Sequence, residues 1–188
     1  MKDLLQPYNP EWKTGFENLK AILSSALKDF ETVIEHVGST AIPGLCAKPI
    51  LDIDIITDKK DQLAGIAVIL EKLGYKNKGE QGIAGRYAFR QTSGLTPFTA
   101  NSVTWPEHHL YVCYSDSIAL KNHILFRDVL RQDKDLAHKY ALLKTNLVNR
   151  PGMKREIYTQ LKTDFILEVL AANGFDEKDL SETKNANI

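Results

Sequence analysis

The sequence predicts a mixed α/β fold of the α+β class, in which a small mixed sheet flanked by helices precedes a helical lobe. Short β-branched runs and helical segments share the first 116 residues, whereas only helical periodicity follows. Strands and helices do not alternate regularly, so repeated βαβ units are not expected. We divide the chain into an α/β core (1–116), a helical lobe (117–174) and a polar tail (175–188) that we expect to be frayed.

The elements of the α/β core follow from periodicity and from glycine and proline positions. Apolar residues at helical spacing from Trp12 to Phe30 predict a first amphipathic helix. Residues 32–37 are rich in β-branched side chains and are followed by Gly38, which predicts a strand. A helix over 61–73 stops at Gly74. Two further strands are predicted from β-rich runs, over 86–91 and 108–114.

The helical lobe contains three predicted helices, over 118–132, 134–148 and 152–173. The last of them ends at Asn173-Gly174, a typical helix stop. Aromatic and leucine residues on these helices are interpreted as core. Lys144, Arg155 and Lys162 are weaker candidates; Arg155 and Lys162 are seven residues apart and share a helix face, but such charged faces are usually solvated.

The strand predicted over residues 49–56, PILDIDII, carries two carboxylates in an apolar alternation. Leu51, Ile53 and Ile55 point to one face, which we expect to meet the core. Asp52 and Asp54 point to the other face with their α-carbons about 6.6 Å apart. Two like charges so close repel each other unless a cation lies between them, which makes the pair a candidate metal site.

A divalent cation is the usual partner of such a pair, because Mg²⁺ takes carboxylate oxygens and bridges them to phosphate. Gly38 and Ser39 follow the preceding strand, where backbone amides and a hydroxyl can hold phosphate oxygens. Together these residues predict a nucleoside triphosphate bound with Mg²⁺ or Mn²⁺. Taken singly, the Gly-Ser pair and the D-x-D pair are each more often structural or solvated.

The segment HVGSTAIPGLCAKPILDIDI at 36–55 resembles the hallmark segment of the GrpB family, a branch related to the polymerase β nucleotidyltransferase superfamily. In this family GST, PGL, AKP and a following strand with two aspartates recur together. Other matching pieces are PYNPEW near the start, HHLYVC at 108–113, FRD at 126–128, and Tyr140, Lys144, Arg155, Tyr158 and Lys162. The resemblance covers nearly all of residues 7–172.

This resemblance implies a nucleotidyltransferase-like fold, with Gly38, Ser39 and Thr40 at the phosphate and with Asp52 and Asp54 as metal ligands. Such enzymes move a nucleotidyl group by in-line attack on an α-phosphate. They commonly carry a third carboxylate on a neighbouring strand, but no acid stands at the corresponding positions of the strand HHLYVCY. Its alternation places residues 109 and 111 towards the site if residues 110 and 112 face the core.

His109 is therefore a candidate catalytic residue, as a metal ligand or general base, although a histidine in a half-buried strand is more often structural. Tyr111 is a candidate nucleotide contact on the same face. Glu107, just before the strand, is the available substitute for the missing carboxylate.

Three cations are candidate phosphate ligands. Lys48 stands four residues before Asp52, where a phosphate-binding role and a solvated loop position are about equally expected. Arg86 follows the flexible Gly85 at the start of a strand and suits a phosphate contact. Arg127 lies among apolar residues on a predicted helix, where it either pairs with Asp128 or reaches the triphosphate across the cleft between lobes.

The amino-acid composition indicates which kinds of binding partner and which cellular location to expect. The 24 Lys and Arg residues balance 24 Asp and Glu residues, so no basic excess favours nucleic acid or a membrane surface. Two cysteines in or beside apolar runs suggest neither a disulfide framework nor a thiolate metal site. With no hydrophobic signal core at the start and no apolar run long enough to span a membrane, the expected location is the cytoplasm.

Three functions from different classes follow. The leading one is metal-dependent transfer of a nucleotidyl group to a small molecule or protein side chain. The second is a non-catalytic module that binds nucleotide and metal, motivated by the missing third carboxylate. The third is a phosphoesterase in which His36, His108 or His109 joins the two aspartates on a transition metal. The histidine spacing matches no zinc template.

Overall fold

The computed structural model describes residues 5–185, except the side chains of residues 155 and 156. Its sheet has five strands in the order β1-β2-β5-β4-β3. The central pair, β2 and β5, is parallel, and the other neighbouring strands are antiparallel. The strands are β1 (Val33–Val37), β2 (Leu51–Thr57), β3 (Tyr75–Asn77), β4 (Arg86–Gln91) and β5 (His108–Tyr114).

The helices of the N-terminal part are α1 (Glu11–Ala26) and α2 (Leu63–Lys72), with short 3-10 turns at Ser39–Ala41 and Lys60–Gln62. The C-terminal part contains α3 (Ile118–Gln132), α4 (Lys134–Asn149), α5 (Arg155–Ala172) and α6 (Glu177–Asn185). The mixed α+β fold predicted from the sequence is therefore confirmed. None of the helices found between residues 5 and 185 is long and apolar enough to cross a membrane.

One face of the sheet builds the first hydrophobic core. Leu51, Ile53 and Ile55 of β2 and Leu110 and Val112 of β5 are at most 1% exposed and pack against helices α1 and α2. Strand alternation then sends Asp52, Asp54, His109 and Tyr111 to the opposite face, as predicted. The register places Asp52 beside His109 and Asp54 beside Tyr111.

A second core lies among helices α3 to α6. Phe126, Tyr140 and Leu170 are buried in it together with Ile42 and Leu45, which come from the segment after β1. This contribution ties the turn at residues 38–41 to the helices. The division at residue 117 stays a prediction, since the second core uses residues from both sides of it.

The expectation of a frayed tail is wrong for residues 177–185, which form helix α6. The Asp176 side chain accepts a hydrogen bond from the Asp179 amide at 2.8 Å and so caps this helix. Thr183 is buried, and Leu180 packs against the second core. A polar sequence with few apolar residues gave no periodic signal for this helix, whose stability comes from docking.

Candidate functional site

The paired aspartates of β2 lie on the sheet face turned towards the C-terminal helices, and each accepts a hydrogen bond from a histidine. His109 Nδ1 donates to Asp52 Oδ1 at 2.8 Å, and His123 Nδ1 donates to Asp54 Oδ2 at 2.8 Å. The Asp54 side chain is fully buried, whereas that of Asp52 is 33% exposed. The second oxygen of Asp54, Oδ1, is buried and makes no hydrogen bond to any described residue.

The turn after β1 lies directly against this acidic pair. Gly38 has φ +70° and ψ −169°, a conformation that favours glycine, and the 3-10 turn Ser39–Ala41 follows it. A Cβ added at Gly38 would lie 2.2 Å from Asp52 Oδ2, so the carboxylate occupies the space that glycine leaves. Glycine is therefore required here by both backbone and contact, and the predicted neighbourhood of the turn and the aspartates is present.

A cavity of about 270 Å³ opens beside the turn and brings together charges from four parts of the chain. Ser39, Asp52 and His109 line one part of it. Three lysines line the rest: Lys48, Lys144 and Lys162. The predicted position of Lys48 at the site therefore has geometric support, and its Nζ lies 5.9 Å from the centroid of the Tyr158 ring, which also lines the cavity.

Lys144, only weakly placed by the sequence, is a buried residue of this cavity, and Lys162 lines the same cavity while remaining half-buried. Lys144 is 2% exposed, and its Nζ donates to Ser39 Oγ at 3.1 Å and to the Cys46 carbonyl. The helix repeat gives the reason, because Lys144 follows the core residue Tyr140 by four positions and shares its buried face. Sequence spacing alone could have indicated this lysine.

Burial lowers the pKa of Lys144 to about 8, with a further decrease from the neighbouring Lys162 charge. Since the unfolded-state pKa is higher, at 10.5, the folded protein binds fewer protons between pH 8 and 10.5 and gains stability as pH rises through that window. As pH rises through this window, we expect the free energy of unfolding of wild type to increase by up to about 3 kcal/mol relative to that of Lys144→Met. This follows from about 1.4 kcal/mol for each pH unit by which the folded-state and unfolded-state pKa values differ. Urea unfolding of both proteins from pH 7.5 to 10 measures this.

Lys139→Met removes an exposed lysine from the same helix and serves as the matched control for lysine loss. If wild type and Lys144→Met keep a constant stability difference across the window, Lys144 does not sit in a desolvated environment. The measurement should be made without nucleotide, because a bound polyanion favours the charged lysine.

The strand β5 supplies the side chains next to the aspartates. The hydrogen bond that His109 donates to Asp52 raises the pKa of His109, and this outweighs the opposing effect of burial. Burial and the neighbouring carboxylates raise the pKa of Tyr111 to about 12, so its phenol stays protonated. Glu107, the substitute for a third carboxylate, has an exposed side chain and makes no described contact with either aspartate.

Arg86 does not line the lysine cavity. Its guanidinium carbon lies 4.5 Å from the Tyr111 ring centroid, a cation–π contact, and its side chain lines a different pocket. Its Nε is buried and has no hydrogen-bond partner among the described residues. The structure therefore places Arg86 beyond Tyr111 and outside the lysine cavity, away from the predicted phosphate position.

Arg127 takes the first of its two predicted roles. Its Nε donates to Asp128 at 2.7 Å, and its Nη1 donates to Glu35 at 2.6 Å and to the His36 carbonyl at 3.0 Å. The side chain is buried behind β1, where these acceptors compensate its charge. The Arg127 side chain joins α3 to the sheet. This geometry does not support the prediction that Arg127 contacts phosphate.

Thr40 is also held within the fold, although it borders the cavity. Its hydroxyl lies 3.0 Å from His36 Nε2 and 3.4 Å from the Ile50 carbonyl. The ring of His36 stacks on Phe16 with centroids 4.7 Å apart, and burial lowers the pKa of His36 to about 4. Thr40 and His36 are therefore engaged within the fold and hold the turn at residues 38–41 in position.

His123 is a site residue that the sequence interpretation missed. It precedes Arg127 by four residues, so both project from the face of α3 that meets the sheet. Burial opposes protonation of His123, but the charge and hydrogen bond of Asp54 outweigh it and raise its pKa. The spacing from Arg127 was the available signal, whereas the contact with Asp54 depends on how α3 docks.

A transition-metal site built from the predicted histidines is not supported. His36 is engaged with Thr40, and His108 uses both ring nitrogens, at 2.7 Å from the Tyr75 hydroxyl and 2.8 Å from the Pro106 carbonyl. No described group of three or more His, Cys, Asp and Glu side chains is placed to hold a metal ion.

The two aspartates nevertheless suit a hard divalent cation that brings its other ligands with it. Asp54 Oδ1 is a buried acceptor that no N–H or O–H group of the described residues reaches, and the Cys113 thiol that interacts with Asp54 is only a weak donor. A cation would relieve this unfavourable state. Mg²⁺ commonly takes one or two carboxylates and completes its shell with water and substrate phosphate. Asp52 and Asp54 are the side chains that would hold it, beside the lysine cavity.

By its architecture the chain falls in the class of nucleotidyltransferase-like folds. The structure of Cid1 in complex with its short product ApU aligns with 88% of this chain and 50% of that chain, at a TM-score of 0.58 and 16% identity. The MgATP-bound H336N mutant of the Cid1 poly(U) polymerase gives a TM-score of 0.56 and 13% identity over 82% of this chain and 47% of that one. These likenesses concern the fold.

Within that class, the chain belongs to the GrpB family. The family model described as GrpB protein matches residues 4–172. The crystal structure of conserved protein GrpB from Enterococcus faecalis aligns with 97% of this chain and 98% of that chain, with a TM-score of 0.71 and 27% identity. The family resemblance predicted from the sequence is confirmed.

Curated relatives agree with this assignment. The UPF0157 protein YqkA of Bacillus subtilis is 33% identical over 85% of this chain, and the UPF0157 protein PA4798 of Pseudomonas aeruginosa is 34% identical over 87%. The alignments span 43% and 64% of those two relatives. The Glutamate-rich protein GrpB of Alkalihalophilus pseudofirmus is 29% identical over 89% of this chain and 93% of its own length.

Proposed function

We propose that this protein binds a nucleoside triphosphate with Mg²⁺ or Mn²⁺ and transfers its nucleotidyl group to a small molecule or a protein side chain. The observation that carries the proposal is the meeting of the aspartate pair and the lysine cavity at the Gly38 turn. Asp52 belongs to both, since it lines the cavity and neighbours Asp54 on β2.

Charge explains why this combination suits a metal-bound triphosphate. Lys48, Lys144 and Lys162 provide cations for a polyanion, and the Ser39 hydroxyl lies 3.1 Å from Lys144 Nζ at the cavity wall. Asp52 in the same wall would repel phosphate oxygens if no cation lay between them. A divalent ion held by Asp52 and Asp54 removes that repulsion and, when bound, supplies Lewis-acid stabilisation at the phosphorus.

The transfer forms one bond and breaks one. An acceptor hydroxyl oxygen attacks the α-phosphorus, the bond from that phosphorus to the oxygen bridging to the β-phosphate breaks, and diphosphate leaves. The hydroxyl proton passes to a base, for which His109 is placed. Its Nδ1–H is oriented by Asp52, a carboxylate that can only accept, so Nε2 is the ring's basic atom. The His109 side chain is 51% exposed and so accessible to a substrate.

The experiment has a binding arm and a chemical arm. We expect one or more triphosphates to raise the melting temperature only with Mg²⁺ or Mn²⁺, with about 2.7 kcal/mol of stabilisation at 100 times the dissociation constant. Triphosphate labelled at the α-phosphate should then label a small molecule from an extract or the protein itself. The absence of both the shift and the label would contradict the proposal.

A non-catalytic binding module is the second candidate, and one observation favours it. The positions of β5 beside Asp52 and Asp54 carry His109 and Tyr111, and no third carboxylate stands there. A metal-dependent melting shift without transfer of label to any acceptor would support this candidate over the enzyme. The phosphoesterase hypothesis loses two of its three proposed histidine ligands, because His36 and His108 are engaged in the core, and it keeps only His109.

A further inference from the structure

A second pocket, of about 320 Å³, lies at the other end of the aspartate pair. Its walls are the glycine loop before β4, the first turns of α3 and the helix α6. The side chains that matter here are those of Arg86, Asn122, His123 and Glu182. This pocket shares no lining residue with the lysine cavity, so the two spaces are separate.

The second pocket is connected to the aspartates by direct contacts. His123 forms part of its wall and donates to Asp54 Oδ2 at 2.8 Å. Arg86 forms another part and stacks on Tyr111, whose strand position is paired with Asp54. The lysine cavity reaches the same pair from the side of Asp52. The two aspartates therefore lie between the second pocket and the lysine cavity, and between any two molecules bound there.

Arg86 gives the second pocket its chemical preference. A guanidinium is permanently charged and carries five N–H donors, yet its buried Nε has no described hydrogen-bond partner. This Nε is closed to solvent and cannot itself meet a ligand, so a ligand would meet Arg86 through its other guanidinium N–H groups, where the residue lines the pocket. Carboxylate and phosphate oxygens match the guanidinium geometry best. Glu182, the acid in the wall, lies 4.0 Å from Lys178 and is partly compensated by it.

Helix α6 forms one wall of the second pocket. It contributes Glu182 and Thr183, packs on α3 and α5, and lies beyond residues 4–172 that the family model matches. Thr183 is 3% exposed, which shows that helix α6 is packed against the rest of the protein. Part of the pocket wall therefore comes from a segment outside the matched family region.

We propose that the second pocket is the acceptor subsite, and that it takes a small hydroxylated molecule with a carboxylate or phosphate group held by Arg86. The inference rests on the proposed nucleotidyl transfer, for which it names the class of acceptor. The charge of Arg86 favours an anionic acceptor over an uncharged nucleobase in this pocket. Arg86 would hold the anionic group in the second pocket, and the acceptor hydroxyl would reach past Tyr111 to the aspartate pair, where His109 would take its proton.

Ligand-observed NMR on the full chain tests the subsite with three probes of similar size. Glycerol 3-phosphate and glycerate each carry hydroxyls and an anionic group, and glycerol is the matched neutral molecule. We expect at least one anion to bind at least tenfold more tightly than glycerol. Arg86→Gln should remove this preference, whereas Arg86→Lys should retain part of it, because it keeps the charge but loses the fork of donors.

Two further variants separate the pockets. Ala84→Trp adds bulk at an exposed position of the second pocket and should abolish anion binding while leaving metal-dependent triphosphate binding intact. Lys162→Gln changes the lysine cavity and should weaken triphosphate binding without affecting glycerol 3-phosphate. Circular dichroism melting of each variant establishes that it is folded.

The outcomes for the two proposals are distinct. If triphosphate binds but neither anion does, the acceptor subsite is wrong and the proposed function stands. If the anions bind in an Arg86-dependent manner but no triphosphate binds, the second pocket is an anion-binding site and the proposed nucleotidyl transfer is wrong. Anion binding that survives both Arg86→Gln and Ala84→Trp, or that saturating triphosphate displaces, overturns the subsite. Selective binding of adenosine or uridine there also overturns it.

Discussion

Gly38→Ala is expected to abolish metal-dependent triphosphate binding and to cost about 1–2 kcal/mol of stability. The stability loss comes from φ +70°, where an L side chain is strained. The binding loss has a different origin, because the new methyl group would lie 2.2 Å from Asp52 Oδ2. The carboxylate must move, and it leaves the position between the turn and Asp54. Nucleotide-induced melting shifts with and without Mg²⁺ measure binding, and urea unfolding measures stability.

Gly44→Ala is the matched control for this substitution. Gly44 has φ +82°, but a Cβ there would meet no atom within 4 Å. We expect a similar loss of stability and an unchanged nucleotide-induced shift. Equal effects of the two variants on binding would mean that backbone strain, and not the position of Asp52, explains the requirement for glycine.

Asp54→Asn should produce the largest catalytic loss, with transfer falling by about 10³-fold or more. The substitution preserves shape and a hydrogen-bond acceptor for His123 but removes the charge that would hold the divalent ion. Metal stabilisation of a transferring phosphoryl group contributes several kcal/mol, and each 1.36 kcal/mol corresponds to a factor of ten in rate. Label transfer from α-labelled triphosphate, under single-turnover conditions, measures the loss.

An independent readout comes from His123. Because the charge and hydrogen bond of Asp54 raise the pKa of His123, Asp54→Asn should lower that pKa in an NMR titration of the ring. Asp116→Asn is the control, since Asp116 is exposed and its pair with Lys60 lies on the surface. Transfer within tenfold of wild type, together with the lowered pKa of His123, would exclude Asp54 from the chemistry while confirming its contact.

The sheet and the three large C-terminal helices were predictable because their patterns are local. The predicted ranges 86–91, 108–114 and 118–132 coincide with β4, β5 and α3. Alternation within β2 and β5 also predicted which side chains leave the core, including Asp52, Asp54, His109 and Tyr111. Helix α6 escaped prediction, since its sequence is polar and its order depends on a cap and on docking against α3.

By itself the sequence determined the family, the faces of the strands and the closeness of the Gly38 turn to the aspartates. These depend on short-range periodicity and on a motif contained within twenty residues. The tertiary structure decided that Lys144 and Lys162 line the cavity, that His123 holds Asp54, and that Arg127 is buried in an ion pair while Arg86 faces a second pocket. The physical reason is that long side chains on helices are directed by how those helices dock, and docking is set by contacts such as those of Ile42 and Leu45 with the second core.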